Sequence, residues 1–278
     1  MKKAIIIPNY NNDIDFSVTE RVVERLKQNG IESYIDSAVA TVKGATAYEG
    51  VLPYADIIIV VGGDGSVIDA SRYAVEMDIP MLGINLGKVG YLTEVEPDGL
   101  EALDRLADGD YHIEEKLLLS ACKDGEELPR LAVNDVVLSH ESYLGIADFR
   151  LSDSGGNSLR YRADGIILST PQGSTAYSLS AGGPVMAHDV DGIIATPVCP
   201  HSFFNRSVIF KSTEELTLSN RSDSNLNISI DGRLVAVLMP GEAFRVMAAK
   251  RCLKMVSFSD NNMFSSLFRK MKILEDIK

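Results

Sequence analysis

The stretch Ile57-Ile58-Ile59-Val60-Val61-Gly62-Gly63-Asp64-Gly65-Ser66 decides how the first part of the chain folds. Its β-branched run is apolar on both faces, which is typical of a parallel strand covered by helices. The glycines allow a tight turn, and apolar residues then recur at helical spacing over 66–77. The stretch therefore predicts a strand, a glycine-rich turn and a helix.

The same alternation continues on both sides of this stretch. Residues 4–7 and 81–84 are further apolar runs, and Val18, Val22, Val23 and Leu26 form one face of a helix. A further helix is predicted from Pro97 to Gly109. Alternating strands and helices predict an α/β domain with a parallel sheet and flanking helices.

The pattern changes near residue 114. Short β-rich runs are separated by turn pairs such as Asp124-Gly125, Asp231-Gly232 and Pro240-Gly241, which predict an antiparallel β-rich sandwich. Apolar residues at helical spacing over 264–274 predict a C-terminal helix that returns to the first domain. We therefore expect an α/β domain of residues 1–113 plus 262–278 and a β-rich domain of residues 114–261.

Composition and charge exclude several classes of partner. The chain has 278 residues, 45% of them hydrophobic, and a net charge of −12, which argues against binding nucleic acid or an anionic membrane. The four histidines and three cysteines lack zinc-site spacing. No apolar run approaches the ~18 residues of a membrane span, and the run at 4–7 is too short for a signal peptide. We expect a cytoplasmic protein with a small-molecule ligand.

The glycine-rich turn suits a phosphate group. Gly62, Gly63 and Gly65 leave backbone N–H groups accessible, and the start of a helix at Ser66 adds a partial positive charge. A carboxylate at Asp64 would repel a phosphate unless it accepts a hydroxyl proton or holds a Mg²⁺ ion that bridges phosphates. The alternative is that Asp64 only caps the helix.

Two later segments carry polar groups in apolar surroundings. Asn134-Asp135 lies within an apolar stretch, so one of the two side chains faces the interior and needs a partner such as a ribose hydroxyl. The alternative is a bulge or turn satisfied by the backbone. The segment 162–184 runs from a strand into a turn with hydroxyl and amide donors and the ring of Tyr177, which suits a polar, flat ligand. An ordinary loop is the alternative.

Together these segments resemble the NAD kinase family. The matching motifs, in order along the chain, are Gly62-Gly63-Asp64-Gly65, Gly83-Ile84-Asn85-x-Gly87 with Gly90-Tyr91-Leu92-Thr93, Asn134-Asp135, Ala163-Asp164-Gly165, Thr170-Pro171-x-Gly173-Ser174-Thr175-Ala176-Tyr177 with Ser180-Ala181-Gly182-Gly183, and Pro200-His201 with Asn205-Arg206.

The resemblance implies transfer of a phosphoryl group from ATP to the 2′-hydroxyl of the adenosine ribose of NAD. It also implies Mg²⁺ bound with ATP, a cleft between two domains, and a homo-oligomer, either a dimer or a tetramer. The roles it implies for single residues are a base at Asp64, an NAD contact at Gly65, the adenosine site at Asn134 and Asp135, the other nucleoside at Arg162 and Asp164, a dinucleotide pocket at Thr175, Ala176, Tyr177 and Ser180, and nucleotide or phosphate contacts at Gly62, Gly63 and Ser66.

The chain departs from the family pattern at a few positions. Ser207 stands where the family often has proline, and Gly145 stands where many relatives place a basic residue near the dinucleotide. Arg233 is a candidate to replace that basic group. His201 and Arg206 are either functional or interior hydrogen-bonding residues.

Two rival functions share some of these signals. A lipid kinase also carries a GGDG turn, but a net charge of −12 fits membrane association poorly. A catalytically silent NAD(P)-binding regulator would have no use for the carboxylate of Asp64.

Overall fold

The computed structural model describes residues 1–39, 41–87, 90–141 and 145–258, which form two compact units. The first unit contains Met1–Glu115 and, near the end of the described chain, residues 253–258. The second unit spans 116–252.

The first unit is built on a seven-stranded sheet with the order β3-β2-β1-β4-β5-β19-β6. From β3 to β19 neighbouring strands are parallel. The strands are β1 (Lys3–Pro8), β2 (Glu32–Asp36), β3 (Thr46–Tyr48), β4 (Ile57–Gly62), β5 (Met81–Asn85), β6 (His112–Lys116) and the last strand of the described chain, β19 (Leu253–Ser257). Every residue of β4 and β5 is buried, which explains their unbroken apolar sequences.

The described part of this unit contains three α-helices. Helix α1 (Ser17–Gln28) buries the face that contains Val22, Val23 and Leu26, as its apolar spacing predicts. Helix α2 (Asp64–Met77) follows β4. A 3₁₀ turn (Leu100–Leu103) leads into α3 (Asp104–Asp108), which ends at Gly109 with a φ of 73°. The left-handed backbone there is the conformation that glycine adopts without strain.

The second unit consists of two six-stranded sheets in which all described pairings are antiparallel. One has the order β11-β10-β15-β18-β7-β8 and the other β14-β13-β12-β9-β16-β17. Their strands are β7 (Leu119–Lys123), β8 (Glu126–Glu127), β9 (Asp135–His140), β10 (Ala147–Ser152), β11 (Ser158–Ala163), β12 (Gly165–Ser169), β13 (Ile193–Val198), β14 (Val208–Phe210), β15 (Leu216–Asn220), β16 (Leu226–Ile230), β17 (Arg233–Leu238) and β18 (Ala243–Ala248); one short helix, α4 (Tyr177–Ser180), follows β12 and a 3₁₀ turn (Gln172–Thr175).

The two sheets share one hydrophobic core, so the unit is a sandwich. Phe149 and Tyr161 from one sheet pack in the same buried cluster as Leu138, Ile166 and Leu168 from the other. The rings of Phe149 and Tyr161 are stacked, with centroids 5.7 Å apart. The structure confirms the predicted α/β domain followed by a β-rich sandwich.

The described chain returns to the first unit earlier than the sequence predicts. Leu253–Ser257 forms β19 beside β5, whereas the sequence analysis assigned residues 114–261 to the β-rich domain. The sequence of a short apolar run does not indicate which sheet the run joins. Here the long-range pairing with β5 places it in the first sheet. The helix predicted over 264–274 lies outside the described residues.

A close approach between β4 and α2 requires a glycine at position 62. A Cβ atom on Gly62 would lie 2.5 Å from the Oγ and 2.7 Å from the Cβ of Ser66. A Cβ on Gly65 would meet nothing within 4 Å.

We expect Gly62→Ala to lower the free energy of unfolding by about 1–3 kcal/mol, because the added methyl group overpacks the turn. The matched variant Gly65→Ala should leave it unchanged or raise it by about 0.5–1 kcal/mol, since alanine loses less backbone entropy on folding than glycine. Urea unfolding followed by circular dichroism measures both. Equal stability of the two variants would contradict this account.

Candidate active site

The glycine-rich turn lies at the carboxyl end of β4, where α/β sheets commonly bind ligands. Gly62 ends the strand and is buried, and Gly63 is the N-cap of α2, with no side-chain capping bond. The amide of Asn9 donates a hydrogen bond of 2.6 Å to the Oγ of Ser66. Gly65 is exposed in the first turn of the helix. Since a side chain at Gly65 would meet no protein atom within 4 Å, the fold itself does not require this glycine.

Asp64 is the first residue of α2, and its carboxylate does not cap that helix. Its two oxygens accept hydrogen bonds from the backbone N–H groups of Tyr91 and Leu92, each at 2.8 Å. The capping alternative is therefore wrong. The half-buried carboxylate is held at both oxygens, and each oxygen keeps a further lone pair for a ligand.

The segment that supplies these amides is anchored on β5. The backbone N–H groups of Glu94 and Val95 both donate to the carbonyl of Gly83. A Cβ on Gly83 would lie 2.8 Å from the Cγ2 of Thr93 and 3.0 Å from the carbonyl of Leu92, so only glycine allows this approach. The two glycine-containing motifs around Gly83 and Leu92 thus position Asp64.

In the second unit, Asp231 organises the segment before β9. Its carboxylate accepts hydrogen bonds from the backbone N–H groups of Val133, Asn134 and Asp135 at 2.8–3.1 Å. Asp231 and Gly232 have φ values of 47° and 75°, as in the tight hairpin turn that the Asp-Gly pair predicts. The Asp-Gly pair predicts the turn from sequence, but nothing in the residue types indicates that the Asp231 carboxylate binds three backbone amides.

The sequence leaves two alternatives for Asn134-Asp135, an interior side chain that needs a partner and a bend or turn, and each holds for one of the two residues. Asn134 lies in a bend satisfied by Asp231 and is half-buried, whereas Asp135 is only 4% exposed. No side-chain or backbone donor among the described residues contacts the Asp135 carboxylate. Burial, with the neighbouring charge of Asp231, raises the pKa of Asp135 to about 7. The sequence predicts that one side chain of this pair faces the interior and needs a partner, and Asp135 is that side chain.

Burial also raises the pKa of Asp231. Its three backbone donors and the charge of Arg130 oppose that rise. Hydrogen bonds to the ionised form of a carboxyl group favour its ionisation. As the pH rises, Asp231 therefore ionises before Asp135.

The segment after β12 packs directly on Asn134. The hydroxyl of Thr170 donates to the carbonyl of Val133 at 2.7 Å, and its backbone N–H donates to the carbonyl of Asn134 at 2.9 Å. A Cβ on Gly173 would lie 2.0 Å from that same carbonyl oxygen. The structure thus brings together two of the motifs that the sequence singled out.

Beyond this contact the chain turns outward through the predicted pocket residues. Thr175 and Ala176 are half-buried, Ser180 is exposed, and the ring of Tyr177 is 47% exposed although it starts helix α4. An exposed aromatic ring can stack on a flat ligand.

Other hydroxyls in this region have structural partners. The hydroxyl oxygen of Thr196 lies 3.0 Å from the hydroxyl oxygen of Ser178 and 3.0 Å from that of Ser207. Ser207, where the family often has proline, therefore extends a buried polar network. Gly183 leaves room for it, since a Cβ there would lie 2.3 Å from the Oγ of Ser178.

The structure does not bring Arg162 and Asp164 together with Asn134 and Asp135. Asp135 pairs with Ser169 on β12, and the other end of the same pairing joins Ser139 to Gly165, next to Asp164. From Asp135 to Ser139 the chain advances four residues along the strand, at ~3.4 Å each, so Asp164 lies about 14 Å along the sheet from Asp135. Both Arg162 and Asp164 are exposed.

The remaining candidates lie on the surface. Arg233 begins β17 and is exposed, and so are His201 and Arg206, which argues against interior roles for the last two. The backbone N–H of His201 donates to the carbonyl of Arg162 at 2.7 Å. A Cβ on Gly145 would lie 2.5 Å from the Cε1 and Nε2 atoms of His140, so a larger residue there requires the His140 ring to move.

No cluster of three or more His, Cys, Asp or Glu residues suited to a metal ion occurs in the described part of the chain. Among the same residues, no helix has the length and apolar character needed to span a bilayer.

Comparison with known proteins identifies the family. The ATP-NAD kinase N-terminal domain model matches residues 4–111, and the ATP-NAD kinase C-terminal domain model matches residues 133–258. The chain belongs to the ATP-NAD kinase family. Members of this family with similar sequences include the NAD kinases of Thermoanaerobacter sp. (32% identity, 98% of this chain and 99% of the relative) and Geobacter sulfurreducens (33% identity, 98% and 99%).

Solved NAD kinase structures share the fold. Yeast NADH kinase complexed with NADH superimposes with a TM-score of 0.83 at 20% identity, over 100% of this chain and 88% of the other. An NAD kinase from Archaeoglobus fulgidus in complex with ATP gives a TM-score of 0.74 at 22% identity, over 98% and 99%.

The raised pKa of Asp135 predicts a pH-dependent stability. The unfolded chain ionises this group near pH 4 and the folded protein near pH 7, so its contribution to stability is complete below pH 4 and is lost as the pH rises to 7. At pH 8 and without ligand, Asp135→Asn should be about 1–4 kcal/mol more stable than the wild type, with no difference at pH 4. Urea unfolding at both pH values measures this. An equal pH slope in variant and wild type would contradict the prediction.

Proposed function

We propose that this protein transfers the γ-phosphoryl group of ATP to the 2′-hydroxyl of the adenosine ribose of NAD, giving NADP and ADP. The observation that most supports this proposal is the environment of the Asp64 carboxylate. This carboxylate is fixed by two backbone amides at the carboxyl end of β4, in a turn whose exposed Gly65 leaves space for a ligand. Membership of the ATP-NAD kinase family supports the choice of donor and acceptor.

Asp64 acts as the general base. It accepts the proton of the 2′-hydroxyl while that oxygen bonds to the γ-phosphorus, and the bond from phosphorus to the β,γ-bridging oxygen breaks to release ADP. A ribose hydroxyl is a weak nucleophile at pH 7, so a positioned carboxylate contributes ~10²–10⁴ in rate. The amides of Tyr91 and Leu92 keep this carboxylate in one orientation, which reduces the entropy lost in the transition state.

Phosphate groups are held near the same turn. Gly63 and Gly65 supply accessible backbone, and Ser66 keeps a hydroxyl proton to donate because its oxygen accepts from Asn9. Buried Gly62 contributes through packing. Mg²⁺ bound with ATP would neutralise charge on the phosphates beside Asp64 and Ser66, and the ATP itself rather than a protein cage would supply most of its ligands.

The adenosine of NAD binds the second unit. The Asp135 carboxylate accepts hydrogen bonds from ligand donors, which supplies the partner it lacks among the described residues, and Asn134 offers a half-buried amide beside it. Tyr177 stacks on a flat ring, with Thr175, Ala176 and Ser180 around it. Arg162 and Asp164 hold the other nucleoside, and a separation of about 14 Å along the strands suits two ends of an extended dinucleotide. Arg233 is a further candidate phosphate contact.

A cytoplasmic location and a homo-oligomeric state, dimer or tetramer, complete the proposal. The net charge of −12 and the family membership support a protein that works on small nucleotides.

We expect Asp64→Asn to keep NAD binding and to lower kcat by at least ~10²-fold, because the amide cannot accept the hydroxyl proton. NADP formation from ATP, Mg²⁺ and NAD is followed with an NADP-specific dehydrogenase. Glu76→Gln, an exposed acid on the same helix, should retain wild-type kcat. Equal kcat in Asp64→Asn and wild type would remove the base assignment.

Replacing Tyr177 tests the dinucleotide pocket. Tyr177→Ala should weaken NAD binding by about 1–3 kcal/mol, the range for stacking of a base on an aromatic ring, whereas Tyr177→Phe should retain affinity. Calorimetric titration with NAD measures both. Loss of affinity in both variants, or in neither, would exclude stacking on this ring. NAD binding without any turnover would favour a regulator, and no NAD binding would direct attention to lipid acceptors.

A further inference from the structure

One face of the second unit carries four arginines on an otherwise acidic chain. Strand alternation places Phe149 and Tyr161 in the core and their neighbours outward. We call the outward surface formed by Arg150, Arg160, Arg162 and Arg221 the arginine face. All four residues are exposed.

The charges on this face are poorly balanced by the protein itself. Arg150 and Arg160 are directly opposite each other on β10 and β11, and like charges in that position destabilise a sheet. Asp148 gives both its oxygens to Arg160, at 2.8 and 2.6 Å. Arg162, although it pairs with Asp148 in the strand register, is left without that carboxylate.

Three guanidinium groups therefore remain available. Within the parts of the chain that the structure describes, the side chains of Arg150, Arg162 and Arg221 make no hydrogen bond or ion pair. The pKa of Asp148 is lowered first by its hydrogen bonds from Arg160, and also by the charges of Arg162 and Arg221, so these cations lie close to one carboxylate.

The arginine face borders an open groove of about 720 Å³. Arg160, Arg162 and Arg221 line it together with the fully exposed ring of Phe203 and with two acids, Asp148, whose carboxylate binds Arg160, and Asp223. The volume lies in the range of small-molecule sites. Guanidinium groups bind phosphate oxygens in a bidentate manner, and an exposed aromatic ring can stack on a base.

We propose that the arginine face is a second anion site, which binds condensed phosphate groups such as those of a nucleotide. It depends on the proposed function only through Arg162, which also belongs to the proposed nucleoside site. The proposed function assigns no role to Arg150, Arg160 or Arg221. A free nucleotide and an inorganic condensed phosphate share this chemistry, and Phe203 distinguishes them.

Calorimetric titration with inorganic tripolyphosphate tests the site. Wild-type protein should show a salt-sensitive binding event that the double variant Arg150→Gln/Arg221→Gln weakens by at least about tenfold. Arg245→Gln is the matched control, because Arg245 is exposed on the same sheet but paired with Glu215 at 3.1 Å. That control should bind like the wild type.

Titration of the Phe203→Ala variant with ATP and with tripolyphosphate distinguishes a nucleotide ligand from an inorganic condensed phosphate. Weaker binding of ATP with unchanged binding of tripolyphosphate assigns a nucleotide, and no effect on either assigns an inorganic condensed phosphate. An unchanged tripolyphosphate isotherm in the double variant would overturn the proposal. So would loss of self-association in sedimentation without loss of anion binding, which would assign the face to a second copy of the chain.

The transfer reaction separates this inference from the proposed function. The double variant should form NADP from ATP and NAD with wild-type kcat at saturating substrates. Failure of NADP formation in the wild type would count against the proposed function, whereas the difference in tripolyphosphate binding between the wild type and the double variant reports on the arginine face, because the turn around Gly63 and Ser66 is the same in both proteins.

Discussion

A single carboxylate, that of Asp231, holds the candidate site of the second unit in place. Three consecutive backbone N–H groups donate to it, so the chain before β9 bends around one half-buried carboxylate. Thr170 and Gly173 then pack on the carbonyl groups of that bend. The position of Asp135, and of the pocket that begins after Gly173, depends on this arrangement. A buried charge is costly unless it is paired, and three amide donors offset that cost here.

Asp64 uses the same physical device for a different purpose. Its carboxylate also binds backbone amides, but it lies half-buried at the end of a strand, where lone pairs remain accessible. Asp135 is the opposite case, a buried carboxylate without a described donor and with a pKa of about 7. The difference among the three acids lies in how many donors the protein provides, and the acids with unused capacity are the candidates for contact with a ligand.

Sequence alone predicted the elements well where periodicity is strong. The buried run of β4 and the apolar face of α1 identify a parallel sheet with helices, and the turn pairs identify the sandwich. Asp64 was identifiable because a carboxylate in a glycine-rich turn needs an explanation. Its partners were not, because the donors are backbone amides and any residue type supplies those. The separation of Asp164 from Asp135 required the register of β9 and β12, which residue types do not encode.

The pairing of β19 has a consequence for the order in which the molecule is assembled. This strand lies between β5 and β6 in the first sheet, yet the whole sandwich precedes it along the chain. The ribosome therefore synthesises every strand of the sandwich before the strand that completes the first sheet. Domains generally fold as units during synthesis, so the sandwich can fold while β5 still presents an unpaired edge. The α/β unit is the first to be translated and the last to be finished, and its open edge is the part of the nascent chain most exposed to wrong pairing.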